Sequence, residues 1–301
     1  MQTIVDFLNG LVWSSPLVYG LLAVGLYFSL RMRFFQIRHF KEMIRLMFQG
    51  EKSPVGISSF QALAVSLSGR VGTGNIVGVA TAIFIGGPGA IFWMWLIAFL
   101  GAGSAFVEST LAQIYKQNED NQYRGGPAYY IEKGLGGKLG KIYAAIFALV
   151  TILATGFLLP GIQSNSIAGS MTNSFPLPHW VIGAALVILV GLVIFGGIKS
   201  IARVASAVVP FMALIYVLVA IIVVIMNIQD VPALFALIFR SAFGMEQQFG
   251  GIIGAMIAIG VQRGIYSNEA GQGTGPHAAG AAEVSHPAKQ GLVQAFSGYV
   301  D

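Results

Sequence analysis

Residues 204–226, VASAVVPFMALIYVLVAIIVVIM, run for 23 positions without a charge. A helix needs roughly 20 apolar residues to cross the hydrocarbon of a bilayer. Segments 17–30, 60–85, 90–115, 142–168, 181–196 and 249–265 have the same character, and a further one begins at 292 and runs to 301. Charged residues make up only 10% of the chain, against about a quarter in soluble domains. So few charges cannot cover a water-exposed body of this size. The expected fold is therefore an all-α polytopic membrane protein. The short alternating segments of a transmembrane β-barrel are absent.

The first residues, MQTIVDFLNGLVWSSP, carry no basic n-region and no small-residue cleavage site, so they do not read as a removable signal. Trp13 suits the membrane interface. With no cysteine in the chain, disulfides and thiolate metal sites are excluded.

The net charge of +5 is a matter of placement. Segment 31–52 holds Arg31, Arg33, Arg38, Lys41, Arg45 and Lys52, and segment 116–141 holds Lys116, Arg124, Lys133, Lys138 and Lys141. Lys199 and Arg203 lie between the fifth and sixth spans, and Arg263 and Lys289 are read as following the seventh. The opposite connections, 86–89, 169–180 and 227–239, hold no basic residue. Excess Lys and Arg mark cytoplasmic loops, which puts the N-terminus outside. The surplus is topological and not a nucleic-acid footprint.

One span interrupts itself. Segment 60–85 would be about 39 Å long as a helix at 1.5 Å per residue, so it has length to spare over a core of roughly 30 Å. At its centre stands SGRVGTGNIVG, residues 68–78. Gly72 and Gly74 each cost about 1 kcal/mol in a helix interior, and Thr73 and Asn75 compete for backbone hydrogen bonds. A break in lipid is tolerated only where the freed backbone lines a cavity or is buried in protein. Freed N–H groups at the start of the second half-helix attract an anion, and freed carbonyls of the first half attract a cation. A zwitterionic amino acid and a small monovalent cation fit those two poles. A dinucleotide fingerprint has a different glycine spacing. Close helix packing accounts for Gly74 and Gly78 but leaves Asn75 and Arg70 unexplained.

The runs SGRVGTGNIVGVATAIFIGGPGAIFWMW, FVESTLAQIYK and RGIYSNEAGQGTGPHAAGAA together closely resemble the alanine or glycine:cation symporters, the sodium:alanine symporter family of bacteria and archaea. The resemblance implies a LeuT-like inverted-repeat fold (5+5) with an extra N-terminal helix, set in the cell membrane. It also implies sodium-driven uptake of alanine, glycine or related small amino acids, with Na+ as coupling ion, no other cofactor and no enzyme activity. By the same likeness Thr73, Gly74 and Asn75 contact the substrate, the first two through their amides. The carbonyls of Ser68 and Val71, with Asn75, would hold sodium. The family pattern also takes a glutamine from the fourth span, here Gln163.

Gly156, Leu159 and Gln163 share a helical face, and Pro160 lacks the donor that would serve the Gly156 carbonyl. Because inverted repeats break corresponding helices, the seventh span is expected to unwind near Gly250, Gly251 and Gly254, with simple glycine packing as the alternative. Gln247 and Gln248 read as loop residues at the outer mouth. Arg70 and Glu108 are charges inside spans, where such residues usually pair; they are expected to form an ion pair or a gate. Glu269 reads as a gate or cap partner. His277 and His286 are too far apart for one metal, so no transition-metal site is expected.

An eighth apolar segment starts at the end of the chain, where the resemblance implies a second five-helix repeat, so a truncated second repeat is expected. Membrane lipid, Na+ and a small neutral amino acid are the expected partners. A proton-coupled carrier is the competing transport reading, kept alive by Glu108. A non-transporting membrane subunit or enzyme is the other, and it lacks a catalytic group.

Overall fold

The computed structural model describes residues 2–49, 55–244 and 250–300; Gln247 and Gln248 lie outside the described residues. The chain is helical almost throughout. In order it forms α1 (Gln2–Val12), α2 (Ser15–Arg31), α3 (Phe35–Arg38), α4 (Phe40–Phe48), α5 (Ser59–Arg70), α6 (Val79–Gly86), α7 (Ala90–Ile114) and α8 (Pro127–Leu135). There follow α9 (Gly137–Leu153), α10 (Leu159–Ser174), α11 (His179–Ile194), α12 (Gly197–Met226), α13 (Val231–Ala242), α14 (Gly250–Asn268), α15 (Thr274–Ala281) and α16 (Pro287–Val300). One antiparallel hairpin, β1 (Gln117–Glu119) with β2 (Gln122–Arg124), interrupts the helices; an all-helical expectation had no place for it.

Among the described residues, four stretches are long and apolar enough to cross a membrane: Val5–Arg31, Ala90–Ile114, Gly137–Ser174 and Gly197–Met226. The first reaches further back than the expected 17–30, because α1 and α2 follow one another with only Trp13 and Ser14 between them. With the shorter apolar helices Gly74–Gly86, His179–Ile194 and Val231–Ala242, the chain is a multi-pass membrane protein. The last of these falls where only a connection was expected.

α7 is the hub. Its buried side is built from Gly101, Ala102, Gly103, Ala105 and Ser109, small residues that let other helices approach at backbone distance. α14 uses the same device in return: a Cβ on Gly260 would stand 2.6 Å from the Ala90 carbonyl oxygen. One on Gly264 would meet the Ile97 side chain. α14 is thus locked beside the first two turns of α7. By contrast α9 to α12 turn large apolar side chains outward, among them Leu189, Leu192 and Phe195, as a lipid-facing surface does.

The start of α5 is fixed by a reciprocal cap. Ser58 Oγ accepts the Gln61 N–H at 3.2 Å and Gln61 Oε1 accepts the Ser58 N–H at 3.0 Å, which satisfies two helix-end donors at once. Just before it, Ile57 forms a parallel bridge with Ala282. Gln113 and Lys116 donate to the carbonyls at the end of α15, Lys116 Nζ reaching Ala282 O at 2.8 Å. A cation is favourable at a helix C-terminus. These contacts tie the beginning of α5, the end of α7 and α15 into one block.

Candidate functional site

α5 stops at Arg70, and the chain resumes as a π-helical turn, Gly74–Gly78, that leads into α6. Val71 leaves the helical region at φ −82° and ψ 89°. In an unbroken helix the Gly72 and Thr73 amides would bond the Ser68 and Gly69 carbonyls. Here the Gly72 N–H donates to Asn75 Oδ1 and the Thr73 N–H to Gln163 Oε1, each at 3.3 Å. The Ser68 and Gly69 carbonyls are thereby released from the helical ladder. The span is broken where the glycines and polar residues stand together.

Two hollows flank the break, and Gly74 and Tyr266 line both. The first, about 370 Å³, lies on the α5 side and is lined by Ser68, Gly69, Arg70, Gln163, Glu269 and His277 among others. The second, about 710 Å³, lies on the α1 side, with Trp13, Thr73, Gly78, Ser166, Gln262 and Arg263 among its walls. A Cβ on Gly74 would stand 2.9 Å from Tyr266 Cε1, so ring and backbone together form the partition between the hollows. The packing role of Gly74 is therefore real and coexists with the break, whereas a Cβ on Gly78 would have no neighbour nearer than 4.0 Å.

Gln163 reaches the break because α10 starts from a second π-helical turn, Ala154–Leu158, in which the Leu159 N–H bonds back to Ala154 O. Pro160, next in line, has no N–H to give, and the extra residue in the turn absorbs the missing bond. The Gln163 carboxamide is set so close that a Cβ on Gly72 would meet its Nε2 at 2.8 Å. Of the expected face, Leu159 and Gln163 line the first hollow, whereas Gly156 has no neighbour where its Cβ would stand. Ser68 also lines the first hollow, its hydroxyl donating to Val65 O at 2.6 Å. Val71 instead packs its side chain against the core around Leu63, Leu67 and Val209.

Arg70 and Glu108 are both buried, at 2% and 7% exposure, but they do not form the expected ion pair. Arg70 is taken by α16, donating to Gln294 O at 3.4 Å and to the Ser297 hydroxyl. Glu108 Oε1 accepts the Gly271 N–H at 3.2 Å. Gly271 lies in the turn after α14, where Glu269, Gly271 and Gly273 all take positive φ, and a non-glycine residue such as Glu269 is uncommon there. Thr274 Oγ1 donates to Glu269 Oε2 at 2.5 Å, so Glu269 bonds the first residue of α15. His277 Nδ1 faces Gly273 O at 2.7 Å, and burial pushes its pKa below the usual histidine value. His286 belongs elsewhere, its Nδ1 accepting the Ala288 N–H.

The seventh span departs from expectation twice. It is one continuous helix from Gly250 to Asn268, with no unwinding at Gly250, Gly251 or Gly254. Glycine lowers helix propensity by only about 1 kcal/mol per position, and packing on α7 outweighs that. Gly254 is exposed with open space beside it, away from both hollows. Arg263 does not follow the span but lies inside the helix, at the wall of the second hollow. Its charge had been counted with the connection after the span; its position was not deducible without knowing where α14 meets α7.

A multi-pass helical membrane protein with a polar break between two hollows is the architecture of a carrier. The chain belongs to the sodium:alanine symporter family, whose model matches residues 1–301. It is 61% identical over its whole length to YrbD of Bacillus subtilis, a candidate sodium/proton-dependent alanine carrier, covering 62% of that protein. It is 47% identical to GlnT of the same organism, a candidate sodium/glutamine symporter, over 100% of this chain and 63% of the relative. With the sodium/alanine symporter AgcS of Methanococcus maripaludis the identity is 41%, over 99% of this chain and 67% of the relative. The chain thus spans about three-fifths of the length of the first of these relatives. The family and the relatives' names describe transporters, not enzymes.

Proposed function

We propose that this chain carries the substrate-binding break of a sodium-coupled symporter for small neutral amino acids, alanine first and glycine second, in the cytoplasmic membrane with its N-terminus outside. In this reading the protein is LeuT-like, and the second hollow opens outward and the first inward. The observation that carries it is the exchange of partners at residues 72–75: backbone groups leave the helical ladder and meet side chains at the partition between two hollows.

The substrate carboxylate takes the amides of Thr73 and Gly74, and the ammonium takes the Asn75 side-chain oxygen. Gln163 Oε1 now sits on the Thr73 amide, so it stands where a carboxylate oxygen would dock and withdraws when substrate arrives. The released Ser68 carbonyl and the carbonyl of Val71, with Asn75, offer oxygen ligands of the kind a hard monovalent cation prefers. Tyr266 against Gly74 leaves room for a small side chain, which favours alanine over glutamine.

The test is uptake of labelled alanine by vesicles carrying the full-length protein, under sodium, lithium and proton gradients in turn. Uptake that follows sodium supports the reading, and loss of alanine uptake under every gradient overturns it. A proton-coupled mode has its own support in buried Glu108 and Glu269 beside the first hollow, and in the sodium/proton wording of YrbD's name. Uptake driven by the proton gradient alone would promote that mode.

A further inference from the structure

We infer that Arg263 is a substrate-recognition residue: its guanidinium draws the carboxylate of the incoming amino acid into the second hollow, ahead of the break. The inference rests on the carrier function proposed above.

Three observations converge on it. The first is depth. Gly260 and Gly264, on either side of Arg263, abut Ala90 and Ile97 in the first two turns of the apolar helix α7, so Arg263 stands beside the opening turns of a helix long enough to cross the membrane. An ionisable residue at that depth is costly and is kept for a pathway or a partner.

The second is the lack of a counter-charge. Among the described residues, Arg263 makes no ion pair, and no carboxylate lines the second hollow. The first hollow, by contrast, has both Arg70 and Glu269. The two compartments differ in electrostatic character: among the described residues that line the second, Arg263 is the one with a full charge.

The third is register. Arg263 and Tyr266 share a face of α14, one turn apart, and oppose Gly78 and Gly74, one turn apart on the broken span. A Cβ at Gly78 would lie 4.0 Å from Arg263 Nη1, and one at Gly74 would lie 2.9 Å from the Tyr266 ring. The two glycines open a channel wall along which the arginine stands one helical turn from the break. A carboxylate held by the planar fork of the guanidinium is therefore already beside the amides that receive it next.

The experiment measures apparent affinity by competition against labelled alanine uptake, in vesicles carrying the full-length protein. The competitors are alanine and alaninamide, which has the same side chain and ammonium but no carboxylate. Arg263→Gln is expected to weaken alanine roughly 10- to 100-fold, the range of a charged hydrogen bond, and to leave alaninamide unchanged, so that the preference between them collapses. Arg263→Lys, which keeps the charge and loses the fork, is expected to weaken alanine less and again to spare alaninamide. Equal losses for both competitors would overturn the inference and mark Arg263 as structural, bonded to a carboxylate elsewhere in the protein. No change in either would overturn it as well. If Arg263→Gln fails to reach the membrane, the lysine variant decides on the same criteria. Absent alanine uptake by the wild type would count against the carrier function itself.

Discussion

Asn75 closes the break on itself. Its side-chain oxygen satisfies the Gly72 amide, and it lies three residues along the same turn. Replacing it with alanine removes one polar group and adds no bulk, so insertion should survive while alanine binding falls at least tenfold, measured by competition in vesicles. Gly74→Leu attacks the same place by volume: its first added atom already overlaps Tyr266, and it should abolish uptake in protein that still reaches the membrane. Residues 72–75 were legible because glycine, threonine and asparagine have no business at the centre of an apolar span unless the backbone is used. Gln163 came from the family resemblance, and a 3.6-residue period only added that it shares a face with Leu159. Arg70 and Glu108 misled, since two charges in inner half-spans look like partners until the helices are placed. In fact α16 and the turn after α14 reach them first.

At the scale of the element, the presence of apolar helices was easier to foresee than the flaws in them. Hydropathy placed apolar stretches at 90–115 and 181–196 where α7 and α11 lie, but it cut the first stretch short, missed the apolar α13 and ended the seventh at 265, whereas α14 continues to Asn268. The symmetry of inverted repeats argued for unwinding at Gly250, Gly251 and Gly254, yet α14 is continuous there. Conversely, the π-helical turn at Ala154–Leu158 follows from Pro160, whose missing donor was visible in the sequence.

α15 has a weakness of its own. The His277 ring stands against Gly126 and lines the first hollow, and desolvation there holds its pKa below the usual value. Its charged form is better accommodated in the unfolded chain, so stability is full above the unfolded pKa of about 6.5 and falls as acid charges the unfolded state first. Thermal melts in detergent should therefore drop between pH 7 and pH 5, and His277→Gln should flatten that slope.

Over the whole molecule, one block is tied together and one sheet of helices faces outward. α5, α7, α14, α15 and α16 pack on one another beside the break, while α9 to α12 present large apolar side chains to their surroundings, with α10 also lending Gln163 to the break. The chain contains no cysteine, so a single introduced thiol reports sidedness without background from this chain. Ser174 and Ser285 are both exposed and lie at connections assigned to opposite faces. With the N-terminus outside, a membrane-impermeant maleimide added to intact cells should label Ser174→Cys and spare Ser285→Cys, which reacts only after lysis. The reverse pattern would invert the topology.

The glutamine docked on the Thr73 amide has a thermodynamic consequence for turnover. An unloaded carrier whose donors faced hydrocarbon would hold on to cargo simply to avoid being empty, and release would be the slow step. In the proposed carrier, Gln163 would replace one acceptor by another, so that departure of the amino acid would trade like for like. The free-energy gap between loaded and vacant forms would then stay small enough for an ion gradient, and not the protein's own appetite for a ligand, to set the direction of flow.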